Sequence, residues 1–321
     1  MRSPDIRSRY IRLFVPLSPD RVEKLRQPNS RFVHYTSADA AFKILTSGEV
    51  WMRNARNMND LSEVEHGKVC LLRAYHNSEI GGRLQGFLDG IYPGFSQRLI
   101  GRFNESAPQF EDDTYLTCLS EHYPHEDAFG RLSMWRAYAP KDGVALVVKS
   151  APFQADNRRL GAYSSPVFYG GPEAFSADFN TKIDEIISER HMIEATPEHE
   201  LQDWRLNMFL ISILCTKHKA FDEEREWRII YSPADTRSEV ITSRLVTLNG
   251  VPQKIQIIPL RDDPANGLDG TDLPNFLERI IIGPTSNPET LRKTFIEILA
   301  NADVPDPENR VFTSSIPLRM T

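Results

Sequence analysis

The residues best equipped for chemistry stand in one stretch, Phe221-Asp222-Glu223-Glu224-Arg225-Glu226-Trp227-Arg228-Ile229-Ile230-Tyr231. Its second half alternates with the period of a strand. Glu224, Glu226, Arg228 and Ile230 share one face, and Arg225, Trp227, Ile229 and Tyr231 share the other. Two carboxylates two positions apart at a strand mouth can be held over a sugar. There a fixed negative charge stabilises the positive charge that develops as a glycosidic bond breaks. The same pattern also makes a solvated strand face, with exposed pairs among Glu224, Arg225 and Arg228 worth roughly 0–1 kcal/mol.

Other groups offer partners for these acids. His34 and Tyr35 fall at the end of an early strand, where His34 either bonds a ribose hydroxyl or satisfies backbone. Trp135 and Tyr138 are three residues apart on a short helix and so share a side, which suits stacking on a flat ring or packing into a core. Asn59, Asp60 and Glu63 form a cap-and-turn group with carboxylates of its own. His122, His125, Glu126 and Asp127 have the residue types of a metal site, but the spacing supplies no third ligand in register, and no metal is expected. Lys217, His218, Lys219, Arg225 and Arg228 either make a basic patch around the acids or complete an ordinary helix end.

The elements that must position these residues are legible in outline. Arg31 to Ser37 reads as a strand, followed by a helix from Ala38 to Ser47 capped by Ser37 or Asp39 and ended by Gly48. A second strand covers Val50 to Arg53, and a helix runs from Asp60 or Ser62 to about Tyr75. Thr114 to Ser120 is a buried strand, Phe129 to Tyr138 a short helix, and Val144 to Val148 and Tyr163 to Tyr169 are further strands. A broad apolar face marks a helix over Leu201 to Ala220. Strands Arg244 to Leu248 and Lys254 to Leu260 are joined through the turn Asn249-Gly250. Arg279 to Pro284 is a buried strand, and the following helix carries Pro288 in its first turn. These elements define an α+β class with a mixed, largely antiparallel sheet. The organisation expected is an N-terminal arm over 1–30, a single domain over 31–300 with helical insertions near 76–113 and 171–220, and a tail over 301–321.

Composition narrows the classes. Lys plus Arg total 38 and Asp plus Glu total 44, a net charge of −6, which lacks the global signature of a nucleic-acid binder. Three scattered cysteines, Cys70, Cys118 and Cys215, argue against a disulfide framework and for a reducing compartment. No apolar run reaches the length of a membrane span, and the first residues lack a signal-peptide core, so a cytoplasmic protein without a membrane partner is expected.

Several pieces, taken in order, resemble a known family. They are His34-Tyr35-Thr36, Asn59-Asp60 with Glu63, the strand ending at Ser120, Ser133-Met134-Trp135 with Tyr138, Gly143-Val144, Glu224-x-Glu226-Trp227-Arg228, and Ile281-Ile282-Gly283-Pro284. The order is similar to that of the prokaryotic domain of unknown function 2971, over roughly Arg31 to Leu299. That family name carries no activity. A weaker similarity, in three positions, is to ADP-ribosyltransferases. It implies NAD as a consumed substrate, with Arg31 or His34, beside Tyr35, contacting it. Ser133, Trp135 and Tyr138 would shape the nicotinamide pocket, and Glu226 would be catalytic with Glu224 beside it. It further implies a protein or nucleic-acid acceptor and a place among bacterial toxins or phage-defence effectors. The usual Ser-Thr-Ser strand motif is absent, and Trp135 and Tyr138 lie on a helix where those enzymes more often use strand residues. Two alternatives stand beside this reading. One is a nuclease or hydrolase using Asp60, Glu63, Glu224 and Glu226 with a divalent ion. The other is a non-catalytic module that binds a nucleotide or a protein.

Overall fold

The computed structural model describes residues 19–25, 27, 29–57, 61–154, 159–234, 236–248 and 250–317. Asn59, Asp60, Asn249 and most of the expected N-terminal arm lie outside the described residues.

The described chain starts with α1 (Pro19–Leu25) and enters a sheet at β1 (Arg31–Ser37). Ser37 accepts a hydrogen bond from the Ala40 amide at 3.2 Å and so caps α2 (Ala38–Ser47), which Gly48 closes at φ 65°. β2 (Glu49–Asn54) precedes a helical stretch of α3 (Leu61–His76), α4 (Gly81–Ile91) and α5 (Phe95–Asp112). The chain returns to the sheet in β3 (Tyr115–His122), then forms α6 (Leu132–Tyr138), β4 (Gly143–Lys149), β5 (Tyr163–Pro166) and β6 (Phe168–Tyr169). A second helical stretch holds α7 (Pro172–Ser188), α8 (Arg190–Glu194) and α9 (Glu198–Leu214). β7 (Thr216–Lys217) and a 3₁₀ segment, Lys219–Glu224, lead to β8 (Glu226–Tyr231). Last come β9 (Thr242–Leu248), β10 (Val251–Pro259), α10 (Leu273–Phe276), β11 (Leu277–Ile282), α11 (Pro288–Asn301) and β12 (Val311–Thr313).

These elements form two compact units. Of the described residues, the first takes Pro19, Ala55–Thr114 and Ser165–Asp222, and the second takes Asp20–Asn54, Tyr115–Ser164 and those from Glu223 onward. The first unit is helical and closes around Leu71, Leu84, Leu88, Phe95, Phe175, Phe179 and Phe209. Gly67 lets α3 pass against the backbone of α9 at Ile213, where any Cβ would collide. The chain is α+β with a mixed, mostly antiparallel sheet of ten strands. The main path of that sheet is β12-β11-β4-β1-β3-β2-β10-β9, with β8 joined to β3 and β5 off the path. Among the described residues, β11–β12 pairs parallel, whereas β1–β3, β1–β4, β2–β10, β9–β10, β4–β11, β2–β3 and β3–β8 pair antiparallel.

Two facts of register position the site. Val33 pairs with Ser120, and Ser120 pairs with Glu226, so β1 and β8 lie on opposite edges of β3, and these side chains share one face. That face carries Val33, Tyr35, Ala145, Val147 and Ile281 under Met134, Trp135 and Ala139 of the α6 region. The opposite face buries Phe32, Leu146, Val148, Trp227 and Ile280 with α2 and α11. Trp135 anchors α6. It is 1% exposed, donates its indole N–H to the Phe129 carbonyl at 2.8 Å, and meets Tyr35 edge-on at 4.8 Å.

Candidate functional site

β8 starts two residues later than its sequence pattern implies. Glu224 belongs to the 3₁₀ segment, and Arg225 takes φ 46°, which breaks the alternation before Glu226. A clasp of polar groups holds this turn. Arg131 donates through Nη1 to the Glu223 carbonyl, Ser120 Oγ donates to the Glu224 carbonyl, and the Glu121 amide donates to the Arg225 carbonyl at 3.0 Å. Arg131 Nη2 also donates to Ser120 Oγ at 2.7 Å and to the Glu121 carbonyl at 3.1 Å. The Arg225 side chain pairs with Glu126 and lies 4.2 Å over the Tyr123 ring. Of the two readings of this strand, the solvated face does not hold for β8, which is buried at every position from Glu226 to Tyr231.

Glu226 and Arg228, two residues apart on that buried face, form a bidentate pair. Arg228 Nε donates to Glu226 Oε1 at 2.9 Å and Nη2 to Oε2 at 3.2 Å. Glu224, turned off the strand, accepts from the Tyr138 hydroxyl at 2.8 Å. Tyr138 is 41% exposed at the end of α6. Its phenol is held well above the usual range, by burial first, then by the charge and bond of Glu224, then by Glu226 and Cys118. Glu224 is the group in direct contact with this hydroxyl. The cluster offers one carboxylate, Glu224, at a solvent-reaching edge, with the buried Glu226 locked by a guanidinium behind it. Such a surface suits vicinal hydroxyls or a cationic ring.

The remaining expected residues land elsewhere. By alternation His34 faces away from Glu226, on the side of Phe32. On one edge of β3, β1 claims Ser120 to His122 and β2 claims Leu116 and Tyr115, which leaves Thr117 to Leu119 between them. His34 Nδ1 donates to the Cys118 carbonyl at 3.1 Å in that gap, and burial pushes its pKa down despite the bond. This bond is the backbone contact that stood as the alternative to a ribose contact. Arg31 is likewise engaged, with Asp127 at 2.9 Å and Glu278 at 2.8 Å. Tyr35 accepts the Arg131 amide at 2.9 Å, and burial pushes its phenol up to about 12. Trp135 is core rather than a stacking platform, and Ser133 Oγ is buried with no hydrogen-bond partner among the described residues. Glu63 pairs with Lys217 at 2.8 Å within the first unit, where Lys219 also pairs with Asp222 at 2.6 Å.

His122 is buried against Asp127 at 2.8 Å. Burial lowers its pKa ahead of the opposing bond to that carboxylate. No group of three His, Cys, Asp or Glu among the described residues is arranged to hold a metal ion.

Sequence reasoning missed Arg131, and it named Glu126 only among four residues of metal-ligand type. Glu126 is buried, accepts the Tyr123 amide at 3.0 Å, and meets Arg131 Nε at 3.1 Å. A signal existed in Phe129-Gly130-Arg131-Leu132. The helix expected from Phe129 begins only at Leu132, because Gly130 is left-handed at φ 68° and Arg131 is extended. A charged residue in that extended, apolar setting needs partners.

The fold and site thus define an α+β protein with a carboxylate–guanidinium cluster on one face of an open sheet. Residues 134–229 match the family model described as Protein of unknown function (DUF2971). This stretch holds Trp135, Tyr138, Glu224, Glu226 and Arg228, and is shorter than the resemblance expected over Arg31 to Leu299. No curated protein and no solved structure matches the chain. Among the described residues, no helix is long and apolar enough to cross a membrane.

Proposed function

We propose that the cluster of Tyr138, Glu224, Glu226 and Arg228 is the site of an NAD-consuming, ADP-ribosyltransferase-like activity. One observation carries this reading: Glu224, bonded to the Tyr138 hydroxyl, stands two residues from a second carboxylate, Glu226, that a guanidinium holds. Glu226 is fixed by Arg228 on both oxygens, and Glu224 hangs from a turn and bonds Tyr138. In the reaction, the bond between ribose C1′ and the nicotinamide nitrogen breaks, and nicotinamide leaves with the electron pair. Fixed negative charge from Glu226 stabilises the cationic ribose. The acceptor, water or a nucleophile on a protein or nucleic acid, adds at C1′ and gives its proton to Glu224. His34, Arg31 and Trp135 have no part in this version of the site.

The test is nicotinamide release from NAD by the parent and by Glu224→Gln, Glu226→Gln and Tyr138→Phe, with circular dichroism confirming folding. Loss of a preorganised carboxylate lowers the rate by on the order of 100-fold or more. Glu224→Gln is the cleaner variant, because Glu226→Gln also strips Arg228 of its buried partner. The Glu226–Arg228 pair favours a second reading, a nucleotide- or protein-binding module without turnover, since both carboxylate oxygens are already occupied. NAD that raises the melting temperature without nicotinamide release, even with cell extract as acceptor, decides for that module.

A further inference from the structure

Among the described residues β9 is the terminal strand of the sheet, and its own sequence lacks the devices that normally protect an edge. Its sequence, Thr242-Ser243-Arg244-Leu245-Val246-Thr247-Leu248, has no Pro, Lys, Gly or acidic residue. Leu245 is 80% exposed and Val251, across the hairpin, 59%. At the opposite end of the sheet the edge strand is β12, which is only three residues long.

The register shows which backbone groups face out. β9 pairs with β10 from Leu248 opposite Val251 to Thr242 opposite Ile257, leaving a two-residue loop. In such a hairpin the pairs Leu248–Val251, Val246–Gln253, Arg244–Ile255 and Thr242–Ile257 exchange hydrogen bonds. Pro252, which has no amide hydrogen, falls opposite Thr247 at a pair that exchanges none. The N–H and C=O groups of Ser243, Leu245 and Thr247 therefore point to the open edge.

We infer that β9 pairs antiparallel with β9 of a second copy of this chain, about a two-fold axis at Leu245. The strand is complementary to itself in that register. Leu245 meets Leu245 and Ser243 meets Thr247, so the central aliphatic pair and the two hydroxyl pairs beside it face their own kind, and Thr242 meets Leu248 at the ends. Arg244, the one charged residue of the strand, falls opposite Val246 rather than its own symmetry mate. Its charge is already met by Glu49 through both terminal nitrogens, at 2.9 and 2.8 Å. Displacing β9 by one residue in either direction moves the axis off Leu245 and loses these matches. A single strand pair is a small interface, below the ~1,200 Å² of stable complexes, so the dimer forms at high concentration and exchanges quickly.

Sedimentation velocity on the whole chain from ~1 to ~500 µM tests the inference across the range such a small interface populates. The parent should shift from monomer toward dimer. Leu245→Pro removes an outward amide without touching the β9–β10 ladder, and Leu245→Lys sets two like charges against each other at the axis; both should stay monomeric. Circular dichroism checks the fold, and should the proline variant misfold, the lysine variant decides alone. A parent that remains monomeric throughout, or a folded lysine variant that dimerises as the parent does, overturns the inference.

Discussion

Replacing Arg228 by methionine isolates what the buried pair contributes. Both members of the Glu226–Arg228 pair are at most 8% exposed, and they meet through two hydrogen bonds of 2.9 and 3.2 Å. Methionine fills much of the stem volume but removes the Arg228 guanidinium and its two hydrogen bonds from Glu226. Breaking such a pair by removing one partner costs about 3–5 kcal/mol. At about 2–4 °C per kcal/mol for a unit of this size, the transition of the second unit falls by ~6–20 °C. Urea unfolding followed by tryptophan fluorescence reads this well, because Trp51, Trp135 and Trp227 lie in the second unit and only Trp204 in the first. The double variant Glu226→Gln with Arg228→Met should lose less than the sum of its parts, since it leaves no orphaned charge. A loss under ~1 kcal/mol for Arg228→Met would place the pair with exposed salt bridges and refute the reasoning.

The other predictions concern titration and packing. His34 and His122 are held below the ordinary value of 6.5, in both cases chiefly by burial. Unfolded, they take up protons more readily, so their contribution is whole above about pH 6.5 and falls as pH drops toward the folded values. Urea midpoints should decline over that range, and His34→Asn, which keeps a donor for the Cys118 carbonyl, should flatten the decline; an unchanged slope would show that His34 titrates freely. Glu126 and Asp127 are held below 4.5 and 3.8. In each, burial is outweighed, by the Tyr123 amide with Arg131 and Arg225 for Glu126, and by the His122 and Arg31 bonds for Asp127. Their contribution is present above those ordinary values and disappears as pH falls through the depressed ones, giving a second, steeper loss that Glu126→Gln should diminish. Gly283→Ala would set a methyl 2.8 Å from Trp135 Cε3, inside a packed ring contact. It should cost about 1–3 kcal/mol in urea and disturb the near-ultraviolet tryptophan signal; a neutral result would mean that α6 sits loosely on the sheet.

Local physics made much of this fold legible. Ser37 and Gly48 bracket α2 because a hydroxyl cap and a left-handed glycine act within one turn. β4 and β11 stand out because strands buried on both faces read as unbroken apolar runs. The start of β8 was hidden because its determinant is 92 residues away: Arg131 grips the Glu223 carbonyl and so holds a non-glycine residue at positive φ. The side of the sheet that His34 serves was hidden for a related reason. It depends on β1 and β2 dividing one edge of β3, and strand order is not written in either strand. Of the site, Tyr138 and Glu224 do meet, whereas their neighbour Arg131 gave only the faint sign of a charge in an apolar run.

The path of the chain also sets how this protein can be cut. Residues 134–229, the segment that links it by sequence to other proteins, are not a module that can be excised. They hold β4 but neither β1 nor β11, its partners on both sides, and they stop within β8 while omitting β3, to which β8 is zipped. They also carry the later helical stretch of the first unit without the earlier one. A fragment trimmed to the recognisable sequence would expose raw strand edges and half a helical core. Autonomous folding belongs to the whole weave, and work on relatives is best framed around chains that span it.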